Sequence, residues 1–247
     1  MSETTKRQKR FIDMAAKHAD DFKKRVAQHD EDSSFPHENV EAMKESGYTA
    51  IVVPEELGGA GATPLEVAMA QERLAYGDLP MAIAVNMHHV VLSIIADLWR
   101  LDQQGKGPKL EALEPLLKAT LKDKLIFGGP VSDPGMNSSV GFAGINDTTR
   151  KATRVDGGYL LKGKSGFGTM SAGADYLLTT GSYQDPDKGS QCLLCFFPSA
   201  ADGVEIQSNW DTMSIRASQS NDVVWNDVFV SDDACVLRPA QSWDELA

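Results

Sequence analysis

Two short stretches carry side chains suited to gripping a polar ligand. The first is I-F-G-G-P-V-S-D-P-G-M-N-S-S, residues 126–139. It is small, hydroxylated and bent by Gly and Pro. Such a segment brings backbone N–H groups, here with the Ser132 and Ser138 hydroxyls and the open backbone at Gly129 and Val131, close to a bulky polar group. The second is G-Y-L-L-K-G-K-S-G-F-G-T-M-S-A-G-A-D, residues 158–175. It reads as two strands. Phe167 and Thr169 stand two apart around Gly168, which places both on one side of a strand. Each residue also has a plainer reading. Ser132 and Ser138 are good turn residues that satisfy local backbone groups, and an aromatic in a strand is often core packing.

His88 and His89 lie in N-M-H-H-V-V within an apolar helix. Neighbours on a helix diverge by about 100°, so at most one of them faces a ligand pocket. A hydrogen-bonded core histidine is the other reading. All five histidines precede residue 90, which excludes a Ser-His-Asp hydrolase confined to the later part of the chain. Cys192 and Cys195 form C-x-x-C in an apolar strand, where residues three apart point to opposite faces and cannot readily share a metal. They read as buried small hydrophobes. No metal site is expected. Acidic residues of the later half lie mostly in turns, so no general base is assignable.

The elements that must position these residues follow from the pattern along the chain. Phe11, Ala15, Ala19, Phe22 and Val26 mark one amphipathic helix over residues 5–29. Pro36 opens a second helix, which Gly47 ends. Thr63-Pro64-Leu65-Glu66 is a helix start with a Thr N-cap, Pro at the first position and Glu for a capping box, and that helix runs to about Tyr76. A long apolar helix, Met81–Leu101, and an amphipathic one at 109–122 follow. After Lys124 turn signals recur between short β-branched or aromatic runs at Tyr159–Leu161, Tyr176–Thr180, Cys192–Phe197, Val204–Ile206 and Val223–Val230. The expected fold is α+β: an all-α domain over 1–124, then an antiparallel β-barrel or sandwich over 125–247. Ligands favour such a junction.

Composition narrows the function classes. Hydrophobic residues make up 42% and charged residues 24% of 247, enough for a buried core. A net charge of −11 argues against a sequence-independent grip on nucleic acid or anionic membrane. Asn86, His88, His89, Asp97 and Arg100 interrupt the longest apolar run, which reads as a core helix rather than a membrane span. No apolar segment follows the basic start, so it is not a secretory signal. Three cysteines give no disulfide framework and suit a reducing cytoplasm.

Four segments, in order, resemble the acyl-CoA dehydrogenase superfamily: M-K-E-S-G-Y-T-A-I-V-V-P-E-E-L-G-G-A-G-A-T-P-L-E, V-S-D-P-G-M-N-S-S, D-G-G-Y-L-L-K-G-K-S-G-F-G-T and W-D-T-M-S-I-R-A-S-Q-S-N-D-V-V-W-N-D-V-F-V. The resemblance covers the chain from about residue 35 and identifies the family's N-terminal and middle domains. It implies FAD at their junction with an acyl-CoA thioester beside the ring, and α,β-dehydrogenation of that thioester. Gly129, Val131 and Ser132 would contact the flavin. Ser138 would lie near its phosphates and the acyl-CoA. Phe167, Gly168 and Thr169 would stand where the family has W-I-T against the ring. Asp133 for Glu, Asn137 for Gly, and Phe-Gly for Trp-Ile mark a divergent member. The family's C-terminal four-helix bundle, with its catalytic glutamate, is absent before Ala247, so the resemblance implies a fragment, a homo-oligomer or partner chain supplying that domain, or a chain that has lost the flavin chemistry. Two alternatives stand beside this: a reduced-flavin monooxygenase of the same fold with His88 or His89 at its pocket, and a non-catalytic binding or assembly subunit. Arg216 matches a family arginine that pairs with a buried carboxylate or lies near the site.

Overall fold

The computed structural model describes residues 4–107, 111–133 and 148–239. Six helices lead: α1 Lys6–Phe22, α2 Val26–Asp32, α3 His37–Ser46, α4 Pro64–Ala75, α5 Leu79–Gln103 and α6 Leu113–Lys122. Their starts follow local chemistry. Thr5 caps α1 and Thr63 caps α4, each in a reciprocal capping box, with Gln8 and Glu66 as the returning side chains. Asp78 caps α5 by accepting from the Met81 N–H at 2.9 Å. Gly47 ends α3 at φ 76°, a left-handed cap.

The first expected helix is two. It breaks at residues 23–25, where the Arg25 guanidinium turns back onto Asp21 at 2.8 Å, reaches Asn39 at 2.6 Å and sits 5.1 Å from the centre of the Phe22 ring. The apolar spacing reaches Val26, but α2 buries no residue, so nothing holds its face to the core.

Among the described residues eight strands form one sheet: β1 Phe127–Gly128, β2 Lys151–Val155, β3 Gly158–Ser165, β4 Tyr176–Asp185, β5 Gly189–Pro198, β6 Val204–Ile206, β7 Val223–Ser231 and β8 Cys235–Pro239. The order is β6-β7-β3-β2-β4-β5-β8, with β1 beside β4. Most pairings are antiparallel, but β1–β4 and β2–β4 are parallel, so the sheet is mixed. It curls on itself: Phe197 of β5 meets Trp225 of β7 with ring centroids 5.2 Å apart, although three strands separate them in the sheet.

The strands β4 and β5 are covered on both faces. Leu178, Cys192, Leu194 and Phe196 pack with the helices, while Leu177, Leu193, Cys195 and Phe197 pack inside the curl. That is why Q-C-L-L-C-F-F is continuously apolar rather than alternating. It also puts Cys192 and Cys195 on opposite faces, as their spacing requires. Helix α5 is long and apolar enough to cross a membrane by composition, yet 61% of its most apolar window is buried inside the fold. It is the core helix that the interrupted apolar run suggests.

Candidate functional site

The two ligand-type stretches lie side by side. Ser132 bridges Gly166 just beyond β3. The Gly166 N–H donates to the Ser132 carbonyl at 2.9 Å, and the Gly129 N–H to the Thr169 carbonyl at 3.3 Å. From β4, the Thr179 hydroxyl donates to the Pro130 carbonyl at 2.6 Å. Gly129 lies tight on α5, since a Cβ there would stand 2.5 Å from the Met87 sulfur.

Arg150 anchors this arrangement from beneath. It is 1% exposed. Its Nε donates to the Thr180 carbonyl at 2.6 Å. Its Nη1 reaches the Ser132 carbonyl at 2.8 Å and Ser165 Oγ at 3.1 Å, and its Nη2 reaches the Val131 carbonyl at 2.7 Å and Thr180 Oγ1 at 3.0 Å. All five guanidinium N–H groups are used. Burial lowers its pKa to about 10, opposed by the Asp133 charge, so it stays cationic at neutral pH. Asp133 accepts from the Thr148 hydroxyl at 2.7 Å, the Thr149 hydroxyl at 2.9 Å and the Thr149 N–H. Residues 131–133 are thus held by a buried cation and by two threonines.

Phe167, Gly168 and Thr169 do not continue the strand. β3 ends at Ser165, and Phe167 and Met170 take φ of 52° and 70°. The Thr169 N–H donates to the Phe167 carbonyl at 2.7 Å, closing a three-residue turn. The cause is Asn221, whose carbonyl accepts from the Gly168 N–H at 2.8 Å. A Cβ on Gly168 would lie 2.5 Å from that same oxygen. The turn presents Phe167, which is 64% exposed and meets Trp210 edge to face with centroids 6.0 Å apart. Core packing therefore does not account for Phe167. Thr169 is half-buried, with its hydroxyl 3.1 Å from Ser220 Oγ.

Two polar atoms here are unspent. The buried Ser171 hydroxyl has no partner among the described residues, and it lies 3.2 Å from where a Gly168 Cβ would stand. The half-buried Ser132 hydroxyl also makes no hydrogen bond among the described residues. Ser138 lies outside the described residues.

The histidine pair is built into the core. His88 bonds the Thr49 carbonyl through Nε2 at 2.7 Å and accepts from the Phe127 N–H through Nδ1 at 3.0 Å. His89 bonds the Tyr48 carbonyl through Nε2 at 3.0 Å and pairs with the Gln71 amide through Nδ1 at 2.9 Å. These partners assign both rings as neutral with Nε2–H. Burial drives their pKa values down to about 3 and about 4, helped at His88 by the neighbouring His89. Neither ring keeps a nitrogen free for a ligand. Arg216 forms no ion pair with a carboxylate among the described residues: its Nε donates to Ser33 Oγ at 2.8 Å and its Nη2 to the Glu31 carbonyl at 3.2 Å, tying the loop before β7 to the end of α2. Among the described residues no group of acidic, Cys or His side chains is arranged to hold a metal.

Known proteins share this architecture. The family "Acyl-CoA dehydrogenase, N-terminal domain" matches residues 5–104. The putative acyl-CoA dehydrogenase YdbM of Bacillus subtilis (strain 168) is 29% identical over 235 residues, covering 93% of this chain and 56% of that protein. A nitrososynthase from Micromonospora carbonacea var. africana superimposes with a TM-score of 0.82 at 26% identity, over 95% of this chain and 57% of the other. This chain is acyl-CoA dehydrogenase-like.

The same acyl-CoA dehydrogenase-like fold is seen in FMN-bound TdsC from Paenibacillus sp. A11-2, with a TM-score of 0.82, 23% identity, and coverage of 96% of this chain and 56% of that one. The chain spans about half the length of the curated relatives it matches. Within it, sequence reading missed Arg150, Trp210, Ser218 and Ser220. Arg150 stands in T-T-R-K-A-T among other charges and carries no local mark of burial. The serines in R-A-S-Q-S-N alternate as a strand would, and nothing local joins them to Thr169 about fifty residues earlier.

Proposed function

We propose that this chain is the flavin-binding part of an acyl-CoA dehydrogenase-like oxidoreductase. The observation that carries the reading is the tight turn with an exposed Phe167 ring and the Thr169 hydroxyl, pinned against residues 129–133. A flavin needs an apolar face and hydrogen-bonding groups at its ring edge. The residues fit it. Phe167 and Trp210 leave apolar surface open, and the Ser132 and Ser171 hydroxyls lack partners among the described residues.

A bound flavin supplies the hydride and electron chemistry. The chain's residues orient it. Phe167 would offer an apolar face to the ring, and the Thr169 and Ser132 hydroxyls would supply hydrogen bonds to it. Gly129, Val131 and Gly168 would let the backbone approach, and the family resemblance assigns Ser138 to the phosphates and the thioester. Arg150 holds the Val131 and Ser132 carbonyls, which keeps that loop in one conformation. FAD follows from the resemblance to the family, and FMN is the flavin bound in TdsC.

The reaction we favour is α,β-dehydrogenation of an acyl-CoA thioester, supported by the similarity to YdbM over most of the chain. The proton-abstracting carboxylate would come from the family's C-terminal domain. A second reading, a reduced-flavin monooxygenase, is supported by the similarity to the probable FMNH2-dependent monooxygenase SfnC of Pseudomonas putida, 22% identical over 221 residues. Three buried cysteines outside any disulfide fit a reducing cytoplasm.

Titration of the purified chain with FAD and with FMN, followed by visible absorbance, tests the common core. Anaerobic bleaching by a saturated acyl-CoA supports dehydrogenation. Oxygen-dependent reoxidation of bound reduced flavin, with no bleaching by acyl-CoA, supports the second reading. Uptake of neither flavin overturns both.

A further inference from the structure

The loop that carries Trp210 is held by one buried side chain. Asn221 is 4% exposed. Its Oδ1 accepts from the Asn209 N–H and from the Trp210 N–H, both at 2.9 Å. Its Nδ2 donates to the Gln219 carbonyl at 3.2 Å and to Gln219 Oε1 at 3.3 Å, which fixes the amide with its oxygen toward the loop. The indole is tied at its other end as well, since Trp210 Nε1 donates to the Ile215 carbonyl at 3.2 Å. Packing does not do this work. Around Trp210 the loop buries little of itself: Ser208, Asn209, Asp211, Met213 and Ser214 are all exposed. Hydrogen bonds set where the ring points.

Asn221 also holds the Phe167 turn, but through its main chain. Its carbonyl accepts from the Gly168 N–H at 2.8 Å. Beside it, the Asp222 carboxylate accepts from the Phe167 N–H and from Asn209 Nδ2, the latter at 2.8 Å. The Asp222 N–H donates back to Asn209 Oδ1 at 3.0 Å. Two adjacent residues thus place two rings that lie far apart in the chain. The rings stand at 80° with centroids 6.0 Å apart. A flat ligand stacked on either ring is nearly perpendicular to the other and has that second ring within reach of its rim.

We propose that Trp210 is a ligand-contacting side chain of the flavin site and that the Asn221 amide is the positioning group that holds it there. This rests on the flavin reading above. The Asn221 side chain is spent on Asn209, Trp210 and Gln219, and it bonds neither Phe167 nor Thr169. Its truncation therefore frees the indole, while the main-chain hold on Gly168 stays.

A double-mutant cycle on the full chain separates this from a general structural role. In visible-absorbance titrations with oxidised FAD and FMN, Trp210→Ala and Asn221→Ala should each weaken binding about tenfold, the loss of one aromatic contact. The double variant should also be about tenfold weaker, because the amide has no ring left to position. Losses that multiply to about a hundredfold overturn the role of Asn221. Trp210→Ala that binds as the wild type does, or more tightly, overturns the contact.

A second readout needs no flavin. The near-ultraviolet circular dichroism change made by Asn221→Ala should match the one made by Trp210→Ala, with the far-ultraviolet spectrum unmoved. A wild-type near-ultraviolet spectrum in Asn221→Ala overturns the positioning. If Asn221→Ala does not fold, Trp210→Ala, which truncates a half-buried ring on an exposed loop, still decides the contact. Wild-type chain that binds neither flavin overturns the flavin reading, and the contact with it.

Discussion

Arg150 shows how one side chain sets the shape of a site it does not enter. Its five donors reach β4, β3 and the loop at 131–132 from one buried point. Arg150→Met should lower unfolding free energy by about 3–5 kcal/mol, because three carbonyls and two hydroxyls lose a charged donor in the interior. Arg150→Lys should not restore it, since an ammonium lacks the fork that spans these partners. Urea unfolding of the three proteins checks this, and a stable lysine variant would count against it. Gly168 is limiting in a different way. Gly168→Ala drives a Cβ toward the Asn221 carbonyl and should cost about 1–3 kcal/mol. Flavin affinity should fall with it, because the turn bearing Phe167 and Thr169 must shift.

Helix α5 is the element that ties helices to sheet. Its two histidines hold the Tyr48 and Thr49 carbonyls and the Phe127 N–H, so one helix turn locks the segment after α3 against the first strand. Both rings are neutral in the fold, with pKa values of about 3 and about 4, against about 6.5 in the unfolded chain. Between these values the unfolded state binds more protons. Their contribution is therefore complete above about pH 6.5 and is lost as pH falls toward the folded values. Together they should give a slope approaching 2.7 kcal/mol per pH unit below about pH 6. Urea midpoints at pH 7, 6 and 5 measure it. His89→Gln should remove about half of the slope, and a midpoint that does not move between pH 7 and 5 would refute the account.

Of the two apolar clusters among the described residues, the larger is shared by the helical and sheet parts. Leu178, Leu194 and Phe196 of the sheet sit in the same cluster as Phe11, Leu74 and Leu92 of the helices. The helices and the sheet should then unfold together, so far-UV circular dichroism and tryptophan fluorescence should give superimposable urea transitions. Leu178→Ala should move both by about 2–5 kcal/mol. Two separated transitions would show that the helices stand alone.

Much of this was legible from local chemistry. Thr63-Pro64-Leu65-Glu66 marks a helix start because the groups it satisfies lie within one turn. Q-C-L-L-C-F-F reads as a buried strand because only two-sided cover tolerates an unbroken apolar run. Four spaced segments pointed to the acyl-CoA dehydrogenase superfamily, and the fold agrees. What local chemistry could not reach was set by contacts between distant residues. Arg25 breaks the first helix by bonding Asn39 of α3. The Asn221 carbonyl turns a would-be strand at Phe167–Thr169 into a tight turn. Thr49 and Phe127 take up both nitrogens of His88 and make it a clamp. Arg150 reads as one more surface charge until the fold brings five acceptors around it. Periodicity and capping depend on neighbours along the chain, whereas the direction of a side chain and the burial of a charge depend on partners that only folding brings near.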